Sequence, residues 1–204
     1  MLIKTLPVGQ LETNCYVVTD EDSLDCAVID PGDESGTILD YLEDNRLHCR
    51  AVLLTHAHFD HVGAANALLE ATGARLYMCE KELELVKGGA SGRFTVPEDV
   101  KYYRDGDTVE VGGLRFEVME TPGHTPGGVT LRCGEALFTG DTLFRGSCGR
   151  TDFAGGDMRQ ELRSLKRIAE LPGDYEVYPG HAESSMLSIE REHNPYVRHA
   201  IEKM

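Results

Sequence analysis

The chain has 204 residues, 41% of them hydrophobic, enough for a packed core in one compact domain or two closely joined halves without disulfide staples. Its net charge of -15 argues against a nucleic-acid or anionic-membrane surface, because both need a basic footprint. Six scattered cysteines, with no C-x-x-C pair and no zinc-finger spacing, read as small buried hydrophobes in a reducing compartment, with Cys148 set apart below.

In chain order, Met1 to Pro7 is too short and too soon interrupted for a signal peptide. No apolar run approaches the roughly 18 residues of a transmembrane helix, so a soluble cytoplasmic protein is expected. Cys15–Val18 and Cys26–Ile29 are β-formers around a polar turn, a predicted hairpin that Asp30-Pro31-Gly32 terminates. Residues 34–46 predict a helix, with Ile38, Leu39 and Leu42 on one face. Ala51–Thr55 is an apolar strand, followed by a helical face of Val62, Ala65, Leu68 and Leu69. Arg75–Met78 predicts a strand, and Glu80–Lys87 a short acidic helix. Residues 88–97 form a glycine-rich segment, either a lid or a plain connection.

The second half is richer in strands. Thr108–Val111 and Leu114–Met119 flank Gly112-Gly113 as a hairpin, and Val129–Arg132 pairs with Ala136–Thr139 across Cys133-Gly134-Glu135. Met158, Leu162, Leu165, Ile168 and Ala169 mark an amphipathic helix stopped by Pro172-Gly173. Tyr175–Tyr178 is a last strand, before a C-terminal helix from about Ser184. Both halves follow the same broad order, which suggests a duplicated plan.

The chemistry concentrates in Thr55-His56-Ala57-His58-Phe59-Asp60-His61, directly after an apolar strand. Unpaired polar groups cost about 2–7 kcal/mol each when buried, and a divalent cation removes that cost. Three more polar residues follow apolar strands and sit beside glycine: His124 after Gly123, Asp141 after Gly140, and His181 after Gly180. Strand ends are where sites collect in layered α/β architectures. Five histidines and two aspartates, without a thiolate, suit a catalytic zinc, iron or manganese site. They are too many for one tetrahedral ion and suffice for two that share a carboxylate. Asp30 is either a carboxylate behind this cluster or a turn residue. His48, His193 and His199 have no such setting and read as surface or packing residues.

The H-x-H-x-D-H run and its later partners resemble the metallo-β-lactamase superfamily over nearly the whole chain. Asn14-Cys15-Tyr16, Thr121–Gly127, Phe138–Phe144 and Tyr178–His181 resemble its short glyoxalase II-like hydrolases. The resemblance implies an α/β (α+β) fold, an αββα sandwich of two mixed sheets flanked by helices, over residues 1–204 as a single domain. It implies two divalent ions, zinc in the first place and iron or manganese as alternatives. By position, His56, His58 and His124 would hold one ion, Asp60, His61 and His181 the other, and Asp141 would bridge them. It further implies a small-molecule thioester substrate, S-lactoylglutathione or a relative, cleaved by metal-bound hydroxide whose direction the catalytic Asp60 fixes.

Residues 182–204 are too few for the helical glutathione-binding domain of longer relatives, which is expected to be absent. Arg150 stands where the family uses a cation for the substrate carboxylate, or else pairs with Asp152. Cys148, in the same loop, is either a packed residue or a redox-sensitive thiol. Gly149–Phe153 also resembles the matching loop of persulfide dioxygenases, which bind one iron, so an oxidoreductase is the alternative. A lactamase is weaker, since Asp141 stands where lactamases of this superfamily commonly place a cysteine.

Overall fold

Strands that are apolar on both faces need cover on both sides, and the chain supplies it in layers. The computed structural model describes residues 1–203. Its first sheet runs β1 (Leu2–Val8), β2 (Thr13–Thr19), β3 (Asp25–Ile29), β4 (His48–Leu53), β5 (Arg75–Cys79) and β6 (Lys101–Tyr103), adjacent in that order. β1, β2 and β3 are antiparallel, and β3 to β6 are parallel. The parallel crossovers carry α1 (Ser35–Asp44), α2 (Phe59–Val62), α3 (Ala65–Thr72) and α4 (Leu83–Lys87).

The second half begins with the meander β7 (Thr108–Val111), β8 (Leu114–Glu120), β9 (Val129–Cys133) and β10 (Ala136–Gly140). A small ribbon of β11 (Leu143–Phe144) and β12 (Ser147–Cys148) follows, then α5 (Met158–Ala169). β13 (Glu176–Pro179) pairs parallel with β10, and β14 (Ser185–Met186) closes the second sheet. Helices α6 (Leu187–His193) and α7 (Pro195–Lys203) end the described chain.

The two-residue period of the strands sorts side chains between layers. Val17, Val28 and Val52 face α1 and α3, meeting Ile38, Leu42 and Leu68. Their neighbours Val18, Ile29 and Leu53 point between the sheets, against Phe116, Leu131 and Phe138. On the outer face of the second sheet, Leu137 and Val177 meet Leu165 and Ile168 of α5 and Val197 of α7. Fully burying each such side chain stabilises the fold by roughly 1.5–3 kcal/mol. This is the expected αββα sandwich of two mixed sheets.

Several boundaries differ from the sequence reading. The helix expected from Ser184 is two, broken at Asn194-Pro195, because proline lacks the N–H and pushes Asn194 into an extended conformation. Asn194 then caps the second helix, its Oδ1 accepting from the Tyr196 and Val197 amides. The face from Val62 to Leu69 is likewise split at Gly63, and Glu80–Lys87 is a 3₁₀ turn followed by α4. β1 and β6 have no clear counterpart in the predicted elements. Both are edge strands with few buried residues, so they carry little apolar periodicity.

Candidate metal centre

The carboxyl ends of β4, β8, β10 and β13 converge on one edge of the sandwich. They deliver His56 to His61, His124, Asp141 and His181 respectively. His56, His58 and His124 form one group of donor atoms, and Asp60, His61 and His181 another; within each, the atoms lie within 4.8 Å of one another. Asp141 lies between the groups, with Oδ1 3.4 Å from His61 Nε2 and Oδ2 3.5 Å from His124 Nε2 and 3.7 Å from His181 Nε2. Gly180 is required here for room: a Cβ there would fall 2.2 Å from Asp141 Oδ1. Gly140 turns the chain at φ +49° immediately before the aspartate.

Hydrogen bonds at the backs of the rings decide which nitrogen faces inward. His61 Nδ1 donates to Asp30 Oδ2 at 3.0 Å, leaving Nε2 free. Thr55 donates its hydroxyl to the same oxygen at 2.5 Å and its amide to Asp30 Oδ1 at 2.7 Å. His56 Nδ1 reaches the Thr55 hydroxyl at 3.1 Å, so its Nε2 also points inward. His124 and His181 donate from Nδ1 to the carbonyls of Arg150, at 2.7 Å, and Leu11, at 3.1 Å. His58 is turned the other way, with Nδ1 2.9 Å from His124 Nε2.

The inward atoms His56 Nε2, His61 Nε2 and Asp141 Oδ1 are buried and have no hydrogen-bond partner. Such orphans are expensive, and a cation satisfies them. Tetrahedral zinc with nitrogen at about 2.0–2.1 Å needs donors about 3.3–3.4 Å apart, close to the spacings seen here. The residues therefore fit two divalent ions. A third grouping, Asp30 with His56 and His61, is different, because both Asp30 oxygens already accept hydrogen bonds. Asp30 is buried at φ +49° and acts as the carboxylate behind the cluster.

Charge follows the same geometry. Burial and the neighbouring imidazoles push His56 well below the ordinary histidine range, and burial brings His58 down to about 4. Burial also opposes charge on His61, but Asp141 and Asp30 outweigh it and raise that histidine. Burial would raise Asp60, yet its hydrogen bond to His181 and the charge of His61 hold it at about 2. His56 and His58 are thus held neutral and Asp60 ionised, as imidazole and carboxylate ligands must be.

Two buried carboxylates lacked any sequence reading. Glu82 accepts the Ala57 and Gly127 amides, each at 2.7 Å, and so ties the His56–His58 turn to the loop of His124. Glu161 accepts the His124 amide at 2.9 Å, and burial raises its carboxyl to about 9. Glu161 lies on the apolar stripe of α5 with Leu165 and Ile168, which was a usable signal; Glu82 offered none. The 88–97 segment is fastened to the ligand turn: Phe59 donates its amide to Ala90 O at 2.9 Å and buried Ser91 donates to Ala57 O. Asn66 and Thr95 exchange two further bonds at its far end.

A cleft of about 760 Å³ opens over the centre, lined by His58, Asp60, Asp141 and His181 and by Leu11, Phe59, Phe144 and Phe153. Arg150 lines it too, in a bidentate pair with Asp152, both contacts 2.7 Å, and 4.0 Å over the Phe153 ring. Cys148 is half-buried in the same wall, and burial pushes its thiol up to about 12. All six cysteines are free. His48, His193 and His199 are exposed and belong to none of the donor groups. Among the described residues, no helix is long and apolar enough to cross a membrane.

The sequence profile of the family described as the Metallo-beta-lactamase superfamily matches residues 8–181. Hydroxyacylglutathione hydrolase GloC of Haemophilus influenzae is 32% identical over 97% of this chain and 98% of its own. The crystal structure of BLEG-1 B3 metallo-beta-lactamase matches with a TM-score of 0.87 at 32% identity, covering 96% of this chain and 99% of that one. That of ETHE1 from Myxococcus xanthus matches with a TM-score of 0.83 at 30% identity, over 99% of this chain and 91% of that one.

Proposed function

The chain belongs to the metallo-beta-lactamase superfamily, and from that premise we propose that it is a dinuclear hydrolase of thioesters, of the glyoxalase II type. The observation that carries the reading is Asp141, whose two oxygens reach one histidine of each donor group at 3.4 and 3.5 Å. Zinc ions suit the imidazole and carboxylate donors, with iron or manganese as alternatives. A bound pair of such ions supplies Lewis acidity, polarising a carbonyl and lowering the pKa of water toward neutrality.

The chain's own residues do the rest. Asp30 and Thr55 fix the tautomers of His61 and His56. Asp60 donates Oδ2 to the second group, 3.2 Å from His181 Nε2, and its carboxylate accepts a hydrogen bond from the attacking water, setting its direction. Hydrolysis adds the water oxygen to the acyl carbon, breaks the carbon–sulfur bond and releases a thiolate. Free thiols have a pKa near 8.5, so the leaving group departs without a dedicated acid. The apolar side chains Phe59, Phe144 and Phe153 border the cleft and hold the substrate's carbon chain.

Metal analysis and parallel assays test this reading. About two ions per chain and thiol release from S-lactoylglutathione or another thioester are expected. The likeness to ETHE1 and the Gly149–Phe153 loop support a second reading, persulfide oxidation at a single iron. One iron per chain, with oxygen uptake on glutathione persulfide and no thioester cleavage, would establish it instead. The likeness to BLEG-1 makes a β-lactam the third substrate for the same panel.

A further inference from the structure

The cleft that receives the substrate is unusual for an enzyme handling anionic thiols. Among the described residues that line it, Arg150 is the one arginine or lysine. That guanidinium is not free. Its Nε–Nη2 edge is engaged by Asp152, Nε to Oδ1 and Nη2 to Oδ2 at 2.7 Å, and its plane lies 4.0 Å over Phe153. An isolated surface ion pair is weak, but a bidentate fork stacked on an aromatic ring is the geometry that holds. A substrate carboxylate would meet Arg150 with its charge already balanced by Asp152 and only its Nη1 side unengaged.

The remaining wall is apolar and open. Leu11, Phe59 and Phe153 are 53%, 55% and 48% exposed, a clustering of large hydrophobes at a cleft mouth that marks a binding surface. The adjoining groove, which shares Leu11 and Phe59, carries Arg93 but also Asp33, so it too offers no net positive charge. The chain as a whole is at -15 and repels anions at long range.

Resting on the thioesterase reading, we propose that this cleft selects thioesters whose thiol carrier and acyl group are uncharged and apolar, with the Arg150–Asp152 pair presented as a neutral wall. Arg150 meets the substrate as half of that pair and not as a free cation. Asp152 is then a specificity-determining residue: its charge is what offsets the attraction of Arg150 for an anionic carrier.

Binding of two inert thioethers to the zinc-loaded protein, measured by calorimetry, tests this without turnover. The probes are S-hexyl-N-acetylcysteamine, which is neutral, and S-hexylglutathione, which carries two carboxylates. The neutral probe is expected to bind at least about tenfold tighter. Asp152→Asn keeps a hydrogen-bond acceptor, removes the charge, and should bring the two affinities within about threefold. Arg150→Gln leaves the charge of Asp152 unbalanced beside the cleft and should widen the gap. Equal or tighter binding of S-hexylglutathione by the unaltered protein, failure of both probes to bind, or a ratio unmoved by Asp152→Asn would overturn the proposal. Turnover of the corresponding thioesters judges the hydrolase reading separately: a neutral preference with no thioester cleaved would leave the selectivity standing and the hydrolase reading fallen.

Discussion

Glu82 is the residue whose replacement tests most directly how the centre is held. It is fully buried, and its two oxygens each accept one backbone amide at 2.7 Å, from Ala57 and from Gly127. Glu82→Gln keeps the shape but turns one acceptor into a donor that faces an amide hydrogen. One charge-assisted bond, worth about 1.5–3 kcal/mol, is lost, and a buried N–H is left unpaired at a further cost of about 1–3 kcal/mol. Some of this is offset because the buried carboxylate is itself disfavoured by desolvation, which raises its pKa. The net expectation is roughly 2–4 kcal/mol, or a urea midpoint lowered by about 1 M, measured on the metal-free protein. Ala57 lies between His56 and His58, and Gly127 is close to His124, so all three donors of the first group hang on this carboxylate. Chelator competition should therefore show the first ion weakened by about 10–100-fold and the second much less. Glu84→Gln, exposed on the adjoining helix α4 and paired only with Lys87, should stay within about 0.5 kcal/mol of the unaltered protein. The reasoning is refuted if Glu82→Gln leaves both midpoint and metal affinity unchanged, or if both ions weaken equally.

Further outcomes follow from the same geometry. Asp141→Ala should reduce metal content to one ion per chain or fewer and abolish turnover; two ions by elemental analysis would show that Asp141 is no bridge. Burial raises Glu161 to about 9, so between the ordinary carboxylate range and that value the folded metal-free protein holds a proton that the unfolded chain has lost. Stability should then fall as pH rises across this window, by at most about 1.4 kcal/mol per pH unit, and Glu161→Gln should flatten the slope seen in urea titrations at several pH values. With its thiol pushed up to about 12, Cys148 in the metal-free protein at pH 8 should be ionised only to about one part in 10⁴, and should alkylate about a thousandfold more slowly than a free thiol of pKa near 8.5. Stoichiometric labelling by iodoacetamide within minutes, read by mass spectrometry, would show a thiol activated by its surroundings.

The parts of this protein that were legible in the sequence share a physical reason. The candidate ligands were visible because a run of histidine and aspartate after an apolar strand is hard to explain by packing, and His56, His58, Asp60, His61, His124, Asp141 and His181 do lie together. Strands buried on both faces were visible as apolar runs, which is why β2, β3 and β10 were read close to their observed bounds, whereas β4, with exposed His48 and Arg50 at its start, was read three residues late. What hid was whatever depends on a partner distant in sequence. Glu82 looks like any acidic helix residue until Ala57 and Gly127 are brought beside it across 25 and 45 positions. The two readings of Arg150 could not be separated in sequence, because the question was whether Asp152 turns toward it, and it does. The edge strand β1 hid because it exposes one face and needs only β2 as a neighbour.

The two donor groups are not independent sites that happen to be adjacent. Asp30 reaches His61, of one group, directly and His56, of the other, through the Thr55 hydroxyl. Asp141 touches both groups from the opposite side. His56 and His61 have ring centroids only 4.0 Å apart, so an ion held by one ring sits against the field of the other. Emptying the second group would leave Asp60 facing only His61 and His181, and would orphan His61 Nε2. In that state the carboxylates beside them raise His61 and His181 toward protonation. Protonated imidazoles repel a neighbouring cation, which would weaken the first ion as well. Loading both groups satisfies the orphaned atoms of both. That is the physical argument for two ions, and it holds whatever substrate the cleft accepts.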